Sequence, residues 1–130
     1  MIIRTDQWSS MARPNFLDRI ETLIQVNLPA WVLKNLSVRR IADHCMNTAE
    51  GYVLIEERAI AAFTLHMIRI NPEFHRQSRI GAILQDRSVD DSARMERLLT
   101  DTAESDWEEA ATMCDPSVYW LPFITPVSHS

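Results

Sequence analysis

Apolar residues recur along this chain at helical spacing, and prolines and short polar clusters cut the recurrence into segments. Phe16, Ile20, Leu23, Ile24 and Leu28 fall on one helical face, with Asp18, Arg19, Glu21 and Gln25 opposite, and Pro29 ends or re-aims that helix. Pro14 fits its first turn. An earlier start near Thr5 or Asp6, both good N-caps, stays open. Ala30 to Leu36 reads as a turn of helix or an irregular packed link. Ser37 then caps a short helix through about Met46, with Val38, Ile41, Ala42 and Cys45 inward. Asn47-Thr48-Ala49-Glu50-Gly51 reads as a loop in which Gly51 takes a positive φ. The next helix, about Leu54 to Ile70, is apolar over much of its circumference and belongs at the centre of a bundle. Pro72 forces a sharp corner in Asn71-Pro72-Glu73-Phe74, and Phe74 pins it into the core. Gln77 to Leu84 is a shorter helix with Ile80, Ile83 and Leu84 inward. Asp90, Asp91 or Ser92 caps a last helix, about Ser92 to Met113. Its inner positions are Met95, Leu98, Leu99, Thr102, Ala103, Trp107, Ala110 and Met113 or Cys114, and Asp101, Glu104, Asp106, Glu108 and Glu109 make its outer face acidic. The expected fold is all-α: a compact bundle of about five helices over residues 1–115.

Residues 116–130 differ in character. Pro116, Pro122 and Pro126 argue for an extended tail, yet Val118, Tyr119, Trp120, Leu121, Phe123, Ile124 and Val127 are apolar. Disordered segments are poor in aromatics, so this tail has something to pack on: its own bundle, a partner or a second copy of the chain.

Composition sharpens this picture. A length of 130 residues fits one domain, and 46% hydrophobic content suffices for a real core. Two glycines are too few for an all-β fold rich in turns. No apolar run is long enough to span a bilayer, no export signal is visible, and a cytoplasmic setting is expected. There Cys45 and Cys114 are expected to be buried thiols rather than a disulfide. Charge is uneven. Residues 1–40 carry six basic and three acidic groups, whereas residues 96–130 carry one basic and seven acidic, within a net charge of −5. That balance disfavours general nucleic-acid binding, which needs cations to displace counterions from phosphate.

The residue types that carry chemistry do not fall into reactive patterns. His44, His66, His75 and His129 make no metal-ligand spacing with each other or with the cysteines, so no metal and no cofactor is expected. His44 and Cys45 are adjacent, and adjacent residues on a helix point about 100° apart. His66 reads as a hydrogen-bonded core histidine, and Glu56-Glu57 suits the positive end of a helix dipole better than a catalytic pair. Glycines at 51 and 81 cannot build a phosphate loop or a nucleophile elbow. No catalytic residue is expected. A helix-turn-helix is outlined by Ser37 to Cys45 and the helix that follows. Its second helix, however, opens with Tyr52-Val53-Leu54-Ile55-Glu56-Glu57, apolar and acidic where DNA recognition needs polar and basic groups.

Gly51 before a long apolar helix with Glu57 and Ala59, the Asn71-Pro72-Glu73-Phe74 corner, Ile83-Leu84-Gln85-Asp86 and Ala93-Arg94-Met95-Glu96-Arg97-Leu98 form a recognisable series. With the Ile2-Ile3-Arg4 opening, it resembles a family of small helical bacterial proteins encoded beside type VI secretion effectors, PAAR-tip proteins and their adaptors. The resemblance covers roughly residues 2–113. It implies a co-chaperone or adaptor that binds a secreted effector, or its adaptor or tip protein, and it implies no catalysis. Tyr119, Trp120 and Phe123 are the expected partner-binding residues, since aromatics dominate interface hot spots, and Asp101, Glu104 and Glu108 are the expected steering surface. The competing reading is an immunity protein whose acidic face neutralises the basic site of a toxin. Self-association through the tail stays open.

Overall fold

The computed structural model describes residues 13–27 and 38–123, and every regular element within them is helical. The described residues form seven helices: α1 (Arg13–Asn27), α2 (Val38–Gly51), α3 (Glu57–Arg69), α4 (Ser78–Leu84), α5 (Asp91–Thr100), α6 (Glu104–Ala110) and α7 (Pro116–Tyr119). Single 3-10 turns span Phe74–Arg76 and Leu121–Phe123. The Thr5 or Asp6 cap, the Leu28-Pro29 helix end, the 30–36 link and the Ser37 cap lie outside the described residues.

Helices α1, α2 and α3 pack on one another, α5 docks on α3 and carries α4, and α6 rests on the Phe74–Arg76 turn. Phe16, Ile20 and Ile24 bury one stripe of α1, and Pro14 sits in its first turn, where a missing N–H costs nothing. Ile41, Ala42, Cys45, Met46 and Ala49 of α2 face Ala59, Ile60, Phe63 and Met67 of α3 across a core in which each is at most 2% exposed. Arg39 bonds Asp18 at 3.0 Å and pairs with Glu21, and Arg19 reaches Glu57 at 3.2 Å, so ion pairs tie α1 to both neighbours. These pairs are solvated and contribute little beyond register.

Two expectations fail locally. Residues 47–51 are the last turn of α2, not a loop, and Gly51 has no positive φ. The positive φ falls at Val53, at 61°. There the Val53 N–H bonds the Glu50 carbonyl at 2.9 Å and the Leu54 N–H bonds the Ala49 carbonyl at 3.2 Å. This reciprocal pair is a Schellman ending, which places its left-handed residue just past the helix cap. The helix runs five residues beyond the Met46 end that its polar composition suggested, and the strained position moves two residues on, from glycine to a β-branched residue. The second failure is the single helix over 92–113. It breaks at 101–103, where the Thr102 hydroxyl donates to the Leu98 carbonyl at 2.6 Å and Asp106 accepts from the Ala103 N–H at 2.9 Å. Each bond diverts the backbone from continuing α5 and starts α6 afresh. The break rotates the inner face, leaving Leu99 69% exposed and Ala103 at the surface.

The Pro72 corner is held by Asn71, which is 1% exposed. Its Oδ1 accepts from the Glu73 N–H at 2.9 Å, and its Nδ2 donates to the carbonyls of Ala111 and Cys114 at 3.1 and 2.9 Å. One amide thereby ties the corner to the residues after α6. Gln77 links the same regions. It caps α4 by accepting from the Ile80 N–H at 2.9 Å and donates to Glu109 at 2.7 Å.

Two buried side chains near the start of α5 gather three helix ends. Asp91 Oδ2 accepts from the N–H groups of Ile55 and Glu56 at 2.8 and 2.7 Å, closing the N-terminus of α3. Arg94, one turn on and 3% exposed, donates through Nη1 to the carbonyls of Tyr52 and Leu84 at 2.8 and 2.6 Å and through Nη2 to that of Val53 at 3.1 Å. Those carbonyls end α2 and α4. The anion thus meets the positive end of one helix dipole and the cation the negative ends of two. Burial alone would raise the Asp91 carboxyl, but the N–H groups of Glu56 and Ile55 outweigh it and hold the group below the usual range.

Arg94→Met should therefore cost about 3 kcal/mol or more, because three carbonyls lose their donor. Urea unfolding checks this, and a loss under about 1 kcal/mol contradicts it. Val53→Gly should do the opposite and raise stability by about 1 kcal/mol, since glycine takes a positive φ without strain.

Candidate partner-binding surface

The C-terminal segment is wound, not extended. Pro116 occupies the first position of α7, where no N–H is needed, and Asp115 caps the turn by accepting from the Ser117 N–H at 3.0 Å. A 3-10 turn follows at once. This brings Tyr119, Trp120 and Phe123 round one residue, His44 of α2, with ring centroids 5.7, 6.1 and 5.0 Å from the imidazole. Trp120 is 7% exposed and joins the core, while Tyr119 and Phe123 are half-buried. The segment turns Val118 and Leu121 outward instead, 60% and 56% exposed. Residues 124–130 lie outside the described part.

The Tyr119 hydroxyl lies 2.6 Å from His44 Nε2. Burial first, and Glu73 second, push the phenol up to about 12, while burial lowers His44 against a smaller opposing effect of Asp43. We therefore assign the phenol as donor and a neutral imidazole as acceptor. Arg40 lies over the Phe123 ring at 5.8 Å, and an open groove of about 410 Å³ runs past Arg39, Arg40, Asp43, His44, Asn47 and Phe123.

The three acidic residues expected to steer a partner sit elsewhere. Asp101 ends α5 and accepts from Arg97 Nε at 2.8 Å, and that contact holds its carboxyl low. Glu104 and Glu108 are exposed on α6, one turn apart, with no ion pair among the described residues. Their neighbours Asp106 and Glu109 are engaged by Gln77. Helix α6 packs on the Phe74–Arg76 turn, whereas the aromatic segment packs on His44 of α2, so the two groups of candidate residues occupy different elements of the bundle.

A second tyrosine–histidine pair joins the end of α2 to the corner. The Tyr52 hydroxyl lies 2.9 Å from His75 Nδ1, beside a groove of about 420 Å³ that includes Arg76, Gln77, Ser78 and Gly81. Gly81 is required there, because a Cβ would come within 2.9 Å of the His75 carbonyl oxygen. Burial pushes His75 down to about 4, which makes it a weak base at neutral pH. His66 packs tilted against both Phe74 and Trp107, with ring centroids 5.3 and 5.1 Å away, and is also lowered, by burial first and then by Arg69. Cys45 is a buried thiol pushed up to about 12, and Cys114 is a half-buried one. Glu56, Asp90 and Asp91 bring carboxylate oxygens within 4.8 Å of one another, but Asp91 already accepts two backbone N–H groups.

His44 and Arg40 carry the candidate surface and were not singled out for it in the sequence. Their spacing of four on α2 signals a shared face, but nothing local announces that residues 119–123 return to it. No protein-family model matches the chain, and neither a curated protein nor a solved structure does.

His44, His66 and His75 all sit below their ordinary value of 6.5, so the folded state disfavours protonation that the unfolded chain accepts. Stability should be full above pH 6.5 and fall progressively as the pH drops toward about 4, where His75 itself titrates. Urea midpoints at pH 7.5, 6.0 and 5.0 should decrease in that order. A flat profile would show these histidines to be free to protonate in the fold.

Proposed function

We propose that this protein is a non-enzymatic accessory protein that binds another protein, a co-chaperone or adaptor for a type VI secretion effector. Two things support the reading. The motifs that resemble that family are scaffold elements: Arg94 clips helix ends, Asp86 of Ile83-Leu84-Gln85-Asp86 pairs with Arg97 at 3.1 Å, and Asn71 and Phe74 hold the corner. The observation that carries a binding role is the C-terminal segment. Its aromatics anchor it to α2 and leave Val118 and Leu121, two large apolar residues, in water. A rigid backing with an exposed apolar edge is a good template for protein association. On this reading Tyr119, Trp120 and Phe123 set the shape of the surface, and Val118 and Leu121 meet the partner.

The immunity reading keeps one specific support, the exposed Glu104 and Glu108, which suit a basic toxin site. The two readings separate by experiment. In a tagged pull-down from native cells, the adaptor reading expects an effector with its adaptor or tip protein. Val118→Asp combined with Leu121→Asp should abolish that capture while leaving the circular dichroism spectrum unchanged. Deleting the whole segment is a poorer test, because Trp120 belongs to the core. Capture that survives the double substitution, or recovery of a toxin domain whose activity the protein blocks, overturns the adaptor reading.

A further inference from the structure

The connection between α2 and α3 carries an unusual combination of strain and exposure. Val53 holds a φ of 61°, a region where a β-branched residue is an outlier that costs of the order of 1–2 kcal/mol. Its side chain returns little of that to the fold, being 42% exposed. Ile55, two residues on, is 49% exposed, and Leu54 between them is fully buried. The backbone beneath is held firmly. Arg94 grips the carbonyls of Tyr52 and Val53, and Asp91 grips the N–H groups of Ile55 and Glu56. The result is a fixed knuckle that presents two apolar side chains outward from a rigid support.

Acidic groups edge this knuckle. Glu56 and Asp90 are exposed, and their carboxylate oxygens lie within 4.8 Å of each other and of Asp91. Neither has an ion pair among the described residues, and Arg58, the nearest cation along α3, is not paired with Glu56. A hydrogen bond with Asp91, and then the charges of Asp91 and Asp90, push the Glu56 carboxyl upward, as expected for carboxylates crowded without a counter-cation.

We propose that the Val53–Ile55 knuckle is a docking site for a basic protein segment, whose apolar residues cover Val53 and Ile55 while its lysine or arginine groups pair with Glu56 and Asp90. The inference rests on the reading of this protein as a binding module and assigns it a second surface, distinct from Val118 and Leu121. It accounts for a strained valine in a Schellman ending where glycine would be more stable: the side chain serves contact outside the fold.

The test uses the full chain and two synthetic amphipathic helical peptides of equal length, one of leucine and lysine, the other of leucine and glutamate. Amide shifts in a two-dimensional NMR titration should move for residues 52–56 and 90–92 with the lysine peptide and not with the glutamate peptide. Val53→Gly with Ile55→Ser should weaken binding at least tenfold while the protein stays folded, and Glu56→Gln should weaken it several-fold and flatten its salt dependence. Val118→Asp with Leu121→Asp should leave this binding unchanged, so failure of the C-terminal surface and failure of the knuckle read out separately. Equal binding of the two peptides, shifts confined to other residues, or unchanged affinity in the Val53/Ile55 variant overturns the proposal. So does a concentration-dependent dimer that Ile55→Ser dissolves, since a second copy would then be the occupant.

Discussion

One turn of α5 holds this bundle together. Asp91 and Arg94 are buried opposite charges placed three residues apart, and among the described residues neither is spent on a direct ion pair with a distant element. Each instead completes backbone groups that helices leave open at their ends. The anion closes the start of α3, and the cation closes the ends of α2 and α4. A charge buried without compensation would be severely destabilising, and here the helix dipoles supply the compensation. The consequence is geometric. Three helix ends must converge within reach of one helical turn, and this sets where the connections run and where their side chains point.

The knuckle and the corner follow from that constraint. To offer two successive carbonyls to one guanidinium, the chain must turn sharply after α2, and the turn falls on Val53 rather than Gly51. On the other side, Asn71 and Gln77 connect the Pro72 corner to α6 and the residues after it through buried amides. The aromatic histidines fill the remaining seams: His75 between α2 and the corner, His66 between α3 and α6, and His44 between α2 and the C-terminal segment. Burial holds each of these imidazoles below its ordinary value, so protonating any of them works against the fold.

Much of this was legible in the sequence. Helical periodicity identified α1, α3 and α4 and their inner faces, because a stripe of large apolar residues admits one burial pattern. Proline marked the corner correctly, and Asp90, accepting from the Ala93 N–H at 2.8 Å, caps α5. Local composition misled where a long-range contact decides the outcome. Asn47 to Gly51 looks like a loop, and only the distant Arg94 makes a helical ending with a strained valine affordable. Thr102 reads as an inner position and Asp106 as an outer one of a single helix, and their side-chain bonds to the backbone split it in two. Arg94 itself was visible as part of a motif but not as a buried cation, since nothing near it in sequence reveals the three carbonyls it serves. For the candidate surface, the aromatics of the C-terminal segment were identifiable, but which of them turn inward depends on His44, 75 residues away from Tyr119.

The central claim is that Asp91 and Arg94 make the α2–α3 connection part of the cooperative core. Native-state hydrogen exchange of the Ile55 and Glu56 amides tests it most directly. Both lie beside exposed side chains, yet on this account both should exchange as slowly as the Phe63 amide in the middle of α3, through global unfolding alone. Exchange of those two amides orders of magnitude faster than Phe63 would show that the connection opens by itself and that the clip does not organise the fold.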